Sequence, residues 1–273
     1  MHLGAHVSIA KSIALAPDRG MAVGCEAIQI FTKNQRQWKA RDIGAEEANG
    51  FAEGMKRTGL KEAVAHASYL INLGSPNDDL WNKSVESFVH EAQRCDALGI
   101  KHLVIHPGSN KDEREGVERI AEGIRRTLDG TRATVVLETT AGQGSYIGRR
   151  FEQISGIMER TEKKRVAVCF DTCHAYASGY DIRGNYDAVM EEFDRTVGIE
   201  NMSVFHLNDS RGTLGSHLDR HEDIGKGALG TETFRRFVND PRFSEIPGIL
   251  ETQGDEEDFK RNLDTLKSLR QTF

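Results

Sequence analysis

Eight short apolar runs punctuate the chain: "HLGAHVS" (2–8), "AIQIFT" (27–32), "EAVAHA" (62–67), "HLVIHPG" (102–108), "TVVLETT" (134–140), "VAVCFDT" (166–172), "MSVFHLND" (202–209) and "GILETQ" (248–253). They are rich in Val, Ile, Leu and Phe and nearly continuous, the pattern of parallel strands covered on both faces. Longer segments with helical spacing lie between them. In "NDDLWNKSVESFVHEAQRCDALG", Leu80, Val85, Phe88, Val89, Ala92 and Leu98 recur at roughly helical intervals. Asp78 and Asp79 suit the start of that helix and Gly99 suits its C′ position. "DEREGVERIAEGIRRTLDG" behaves similarly and ends at Gly130, and "DEEDFKRNLDTLKSLRQ" predicts the final helix. Eight strand–helix alternations predict an α/β fold, a single (β/α)₈ TIM barrel over residues 1–273, without linker or low-complexity tract. A doubly wound open sheet is the structural alternative, but no glycine-rich phosphate fingerprint follows the first strand.

Composition agrees with this outline. The 273 residues are 38% hydrophobic and 29% charged, ordinary for a globular chain with a sizeable core. The opening "MHLGAHVSIA" lacks a basic segment followed by an apolar one, and no apolar run is long enough to cross a bilayer. The expectation is a cytoplasmic protein with no membrane partner, and a monomer. Cys25, Cys95, Cys169 and Cys173 form no CxxC pair, so reduced thiols are expected. The first three read as packing residues; Cys173 stands between two candidate ligands. A net charge of −6 argues, taken alone, against nucleic acid as a partner.

The strand ends change that picture. The predicted strands end on His66, His106, Glu138, Asp171 followed by His174, His206 and Glu251, and the loop after strand seven adds Asp219 and His221. In a parallel barrel every strand's C-terminal end reaches the same rim, where active sites are built. Five histidines and four carboxylates on one rim are poorly solvated unless cations join them. Mixed imidazole and carboxylate ligation suits zinc, and manganese or iron also fit. Nine ligands exceed one tetrahedral zinc, whereas three ions with a shared carboxylate use them all. Any one of these residues alone is more often a hydrogen-bonded structural histidine or a helix cap; the conjunction carries the argument. His6 ends strand one and reads as a support for a ligand or a water. His2, His90, His102 and His217 read as surface or loop residues.

These residues sit in a series of longer matches. "GAHVS" (4–8), "FTKNQRQW" (31–38), "HASYLINL" (66–73), "HPGS" (106–109), "ETTAGQG" (138–144), "FDTCHAYASGYD" (170–181), "HLNDS" (206–210), "DRHEDIGKG" (219–227) and "LET" (250–252) resemble, in order, the endonuclease IV family of apurinic/apyrimidinic DNA repair enzymes. The resemblance implies a (β/α)₈ barrel with three zinc ions per chain, manganese being an alternative at some positions. It implies that His66, His106 and Glu138 hold one ion. Glu138 bridges to a second held by Asp171, His206 and Glu251, and His174, Asp219 and His221 hold the third. Glu138 and Glu251 are the catalytic candidates, Glu251 also orienting the attacking water. The substrate it implies is duplex DNA containing abasic sites, expected to be cut 5′ to the lesion to leave 3′-hydroxyl and 5′-deoxyribose phosphate ends. One departure is Thr139, which stands where the family's motif has Asn, so a supporting hydrogen bond is open to question.

Three divalent ions would bring the net charge to zero and leave the rim locally positive, which removes the objection to a DNA partner. The segment "KNQRQWKAR" after strand two should form a rim loop carrying Lys33, Arg36, Lys39 and Arg41. Minor-groove readers insert Arg and amide side chains in this way. Trp38 reads as packing in the barrel shell. For Arg36, Tyr69 and Leu70 the resemblance implies insertion into the duplex, the last two as an aromatic–apolar wedge. "GKG" (225–227) is no phosphate loop, and Lys226 reads equally as a phosphate contact or a surface lysine. The rival readings are a divalent-metal sugar isomerase or epimerase on the same architecture, which would need a closed small-molecule pocket, and a non-enzymatic zinc or DNA-binding protein, which would favour cysteine-rich sites.

Overall fold

A computed structural model describes residues 1–161 and 165–271. Its centre is a closed barrel of eight parallel strands: β1 (His2–His6), β2 (Ala27–Phe31), β3 (Glu62–His66), β4 (His102–Ile105), β5 (Thr134–Glu138), β6 (Val166–Asp171), β7 (Met202–His206) and β8 (Pro247–Leu250). Each strand pairs with its neighbours in sequence, and β1 closes on β8, His2 opposite Pro247 and Ala5 opposite Leu250. Closure excludes the open doubly wound sheet. Among the described residues the outer layer comprises α1 (Ala16–Ala22), α2 (Ala45–Thr58), α3 (Asp78–Leu98), α4 (Glu113–Asp129), α5 (Phe151–Arg160), α6 (Thr172–Ser178), α7 (Tyr186–Thr196), α8 (Gly230–Asn239) and α9 (Glu256–Ser268). None of them is long and apolar enough to cross a membrane.

The expected strands are all present, but each stops one to three residues early, because the chain turns outward once it reaches the rim. The start of α3 also differs slightly. Its cap is Asn77, whose side chain accepts from the Leu80 amide at 2.8 Å. Asp78 and Asp79 occupy the first turn, where negative charge suits the helix dipole. Gly99 closes α3 with φ of 71°, a conformation glycine adopts without steric cost.

Two apolar layers hold the barrel. Its interior is filled by Ala27, Val64, Val104, Val136, Ala167, Cys169, Val204 and Ile249. β1 contributes Gly4 there, where a Cβ would meet the Ala27 carbonyl oxygen at 1.9 Å and the Ile249 side chain at 3.1 Å. This plug is the floor beneath the rim. Between strands and helices, Phe151, Phe170, Phe193, Phe205 and Phe237 pack edge-on or tilted, with centroids 5.2–6.2 Å apart. Burial of each contributes about 1.5–3 kcal/mol, and together they fix β6 and β7. Cys25, Cys95 and Cys169 are packing residues as expected, burial pushing the Cys169 thiol up to about 12. His102 corrects the sequence reading: it is a buried strand residue whose Nδ1 lies beside the Glu62 carboxylate of the adjacent strand.

Candidate metal centre

The nine rim residues come together. His66, Glu138, Asp171 and His206 are the last residues of β3, β5, β6 and β7, while His106 and Glu251 directly follow β4 and β8. His174 lies in the first turn of α6, which starts where β6 stops. Asp171 caps that helix by accepting from the His174 amide at 2.7 Å. His221 sits on a short antiparallel ladder, Asp209–Ser210 against His221–Glu222, and Asp219 precedes it in the loop.

Their polar atoms fall into three groups within ligand-sharing distance: His66, His106 and Glu138; Glu138, Asp171, His206 and Glu251; and His174, Asp219 and His221. Glu138 divides its two oxygens between the first two. Oε2 lies 3.0 Å from His66 Nε2 and 3.1 Å from His106 Nε2, while Oε1 lies 3.1 Å from His206 Nδ1. His206 Nδ1 is also 3.1 Å from Glu251 Oε2 and 3.8 Å from Asp171 Oδ2. In the third group Asp219 Oδ1 lies 3.1 Å from His174 Nε2 and 3.7 Å from His221 Nε2. Ligands of a tetrahedral zinc, at ~2.0–2.2 Å from the ion, stand roughly 3.3–3.6 Å from one another. Cys173 falls near Asp171 and His221 in a fourth arrangement. Its buried thiol is pushed up to about 12 and contacts the Arg220 carbonyl at 3.6 Å, so it behaves as a packing residue.

The donor set passes a chemical test for metal ligation. A ligating histidine holds its other ring nitrogen on a carbonyl or carboxylate, which fixes the tautomer. Here His66 Nδ1 is 2.8 Å from the Ala67 carbonyl oxygen, His174 Nδ1 2.9 Å from that of Thr139, and His221 Nδ1 3.3 Å from that of Glu251. His206 Nε2 lies 2.8 Å from Gln29 Oε1. Each of these rings thus keeps its second nitrogen for the centre of the rim. The Nε2 atoms of His174 and His221 are buried there with only carboxylate oxygens beside them, Asp219 Oδ1 at 3.1 Å and Asp171 Oδ2 at 3.7 Å respectively, and without a well-directed hydrogen bond, a costly state that a cation would relieve.

The electrostatics lead the same way. Burial alone would raise the Glu138 carboxyl, but His106 and His206 draw it well below the usual range. Burial would lower His174, but Asp171, Asp219 and Glu138 drive it well above its ordinary value. Asp219, despite its own desolvation, is drawn down to about 2 by His174 and His221. Among the described residues, the ion-pair partners of these carboxylates are histidines, with no Lys or Arg. The cluster therefore demands positive charge that the imidazoles supply only by taking up protons.

Several supporting residues were not singled out from the sequence. Gln29 donates from Nε2 to Glu251 Oε1 at 2.6 Å and meets His6 Nδ1 at 3.0 Å, so His6 lies beside a candidate ligand. Asn208 donates to Asp171 Oδ2 at 2.7 Å and accepts from the Glu251 amide at 2.8 Å. Asp209 is fully buried and accepts from the amides of Gly225, Gly227 and Leu229 at 2.8–3.1 Å, folding the loop that carries Asp219 and His221. At Gly227 a Cβ would lie 2.5 Å from Asp209 Oδ1. A lone amide in the apolar "AIQIF" was the available signal for Gln29. Thr139 keeps a supporting role in spite of the substitution: its hydroxyl accepts from the Asp171 amide at 3.0 Å.

The rim loops differ from expectation in one respect. Arg36 and Tyr69 are exposed, Tyr69 by 65%, and Leu70 is half-buried. Trp38 is half-buried beneath Lys83, whose Nζ is 4.4 Å from the ring centroid, as a packing residue should be. Lys33, expected among the basic residues open to DNA, is instead buried. Its Nζ lies 3.2 Å from Glu91 and donates to Ser87 Oγ and the Trp38 carbonyl, both at 2.7 Å. Glu91 also accepts from the Ser68 amide, and Ser68 Oγ donates to the Gln35 carbonyl at 2.7 Å. The pair ties the Arg36 loop to the Tyr69–Leu70 loop. Lys226 is an exposed lysine paired with Asp223 at 2.7 Å.

Comparison with known proteins gives one answer in sequence and a broader one in fold. Residues 18–269 match the family model described as xylose isomerase-like TIM barrel. The chain is 48% identical over 276 residues to a probable endonuclease 4 of Chloroflexus aggregans, covering 97% of this chain and 96% of that protein. It is 46% identical to a probable endonuclease 4 of Geobacter sulfurreducens, covering 98% and 94%. The crystal structure of endonuclease IV from Thermus thermophilus superposes with a TM-score of 0.90 at 38% identity, covering 98% of both chains. A D-psicose 3-epimerase from Clostridium cellulolyticum has a TM-score of 0.71 at 13% identity, which is a likeness of fold alone.

Proposed function

The chain belongs to the endonuclease IV family, and on that premise we propose that it is a DNA-repair nuclease that hydrolyses the phosphodiester 5′ to abasic sites in duplex DNA. The products are a 3′-hydroxyl and a 5′-deoxyribose phosphate. The observation that carries this reading is the convergence of nine ligand-type side chains in three groups, two of which share Glu138 through its two oxygens.

His66, His106 and Glu138 would hold one zinc, Glu138, Asp171, His206 and Glu251 a second, and His174, Asp219 and His221 a third, with manganese an alternative occupant. Such ions supply Lewis acidity, ionising a water near neutral pH and offsetting the charge of the phosphodiester and its transition state. The chain's own residues do the positioning. Glu138 spans two groups and keeps them in register. Glu251, fixed by Gln29 on one oxygen and facing His206 with the other, orients the attacking water. Asn208 holds both Asp171 and the Glu251 backbone, so two ligands from different strands move as one.

Arg36, Tyr69 and Leu70 contact the duplex. Leaving a base-sized gap weakens stacking, so an abasic residue leaves the helix at lower cost than an intact nucleotide. An exposed Tyr next to an apolar Leu can occupy the space it vacates. The location is cytoplasmic and the protein acts as a monomer in this reading.

The test is direct. Zinc-replete protein is incubated with a 5′-labelled duplex carrying one abasic residue, and the cut is mapped against a ladder. A single cut 5′ to the lesion, leaving an end that a polymerase extends, is expected. An intact strand, or a cut on the 3′ side only, overturns the reading.

A further inference from the structure

Tyr146 is a second large aromatic side chain left open at the barrel mouth, 44% exposed. It takes no part in the core or the ligand groups. Its backbone is nonetheless held firmly. Tyr146–Ile147 forms an antiparallel ladder with Gly108–Ser109, Tyr146 opposite Ser109, and Ile147 is buried as an anchor. Ser109 donates from its amide to Asn72 Oδ1 at 2.8 Å, and Asn72 donates back to Ser109 Oγ at 3.0 Å. Asn110 Nδ2 donates to the Gly74 carbonyl at 2.9 Å. The ladder bearing Tyr146 is therefore hydrogen-bonded to the loop bearing Tyr69 and Leu70.

One cavity of about 470 Å³ is lined by both tyrosines and by His106, His174 and Asp219. Two aromatic rings from separate loops thus border the same space as members of two ligand groups. A rigid, exposed aromatic in a site that takes a nucleic acid strand offers a platform on which a base of any sequence stacks. Loss of a base leaves the bases on either side each with an unstacked face, and Tyr69 and Tyr146 offer rings to them from two separate loops.

We propose that Tyr146 is a second stacking residue, which receives a base flanking the abasic residue on the strand to be cut. The proposal rests on the abasic-nuclease reading and deepens it. It makes the cavity an aromatic-walled channel that selects a strand with a missing base over a continuously stacked one. The role is in binding, so the loss on truncation falls on KM rather than kcat.

The test compares wild type, Tyr146→Phe and Tyr146→Ala on duplexes with 2-aminopurine placed 5′ or 3′ of the abasic residue, read by stopped-flow fluorescence before cutting and by steady-state kinetics after it. Wild type and Tyr146→Phe should quench the probe in one placement, and Tyr146→Ala should lose that quench and raise KM roughly 5- to 150-fold, the range of one base–aromatic stack. Tyr146→Ala with wild-type quench and KM overturns the proposal, as does Tyr146→Phe failing as badly as Tyr146→Ala, since that would make the hydroxyl and not the ring responsible. Because Tyr146 is exposed, unchanged melting of both variants is expected, and a lowered melting temperature that accounts for the KM change would also overturn it. Wild type that leaves every abasic duplex intact sinks the nuclease reading itself, a different result from a silent Tyr146.

Discussion

The two ends of the barrel treat charge in opposite ways. At the N-terminal end, Glu26 pairs with Arg270 at 2.5 and 2.7 Å and accepts from the Leu3 amide, while Lys267 donates to the Gly24 carbonyl. There the carboxylate has a cation supplied by the chain. At the C-terminal end, four carboxylates gather with imidazoles only, and the Nε2 atoms of His6, His174 and His221 are buried without a well-directed hydrogen bond. Beside the rim, Lys33 and Glu91 form a buried pair whose remaining bonds are satisfied by Ser87, Ser68 and the Trp38 carbonyl. Charge closed within the chain builds structure. Charge left open, in a fold that closes it elsewhere, marks where something from outside the chain binds.

Three substitutions probe this contrast. Glu138→Gln removes the bridge between two ligand groups. Nicking of abasic duplex should fall by more than the roughly 10- to 100-fold that loss of an outer support costs, while circular dichroism stays that of the wild type. Retained nicking would remove Glu138 from the mechanism. Glu91→Ala leaves the Lys33 ammonium buried and unpaired, which costs about 3–5 kcal/mol of folding stability. Chemical denaturation should show that loss without any change in bound metal. Equal stability would mean the pair is not closed as described.

Glu26→Gln should have the smallest effect, about 1 kcal/mol or less for a half-exposed pair. Its sign is informative. Burial raises the Glu26 carboxyl, but Arg270 and the Leu3 amide more than offset this and hold it below its ordinary 4.5. A carboxylate depressed in the folded state contributes stability above its unfolded pKa and loses it as pH falls through the folded value. The variant should therefore lose less stability than wild type on acidification below about pH 4.5. Parallel acid curves for the two proteins would assign Glu26 no linked role.

The barrel and the nine rim residues are legible in the sequence because parallel closure converts position along a strand into position in space. Every strand ends at one mouth, so a run such as "VAVCFD" locates Asp171 without any contact being known. The misreadings have the opposite cause. Lys33 and His102 take their character from Glu91 and Glu62, on other elements, the second 40 residues away. Nothing in "KNQRQWKAR" distinguishes Lys33, which turns inward, from Lys39, which stays out. Asp209 is similarly hidden: its role lies in backbone amides of residues 225–229, which carry no side-chain signature.

Metal content tests the central claim most directly. Protein purified without chelator and dialysed against metal-free buffer should carry close to three divalent ions per chain by elemental analysis, and Glu138→Gln should carry fewer. One ion or none, even after zinc supplementation, would contradict a mouth built to complete its charge from outside.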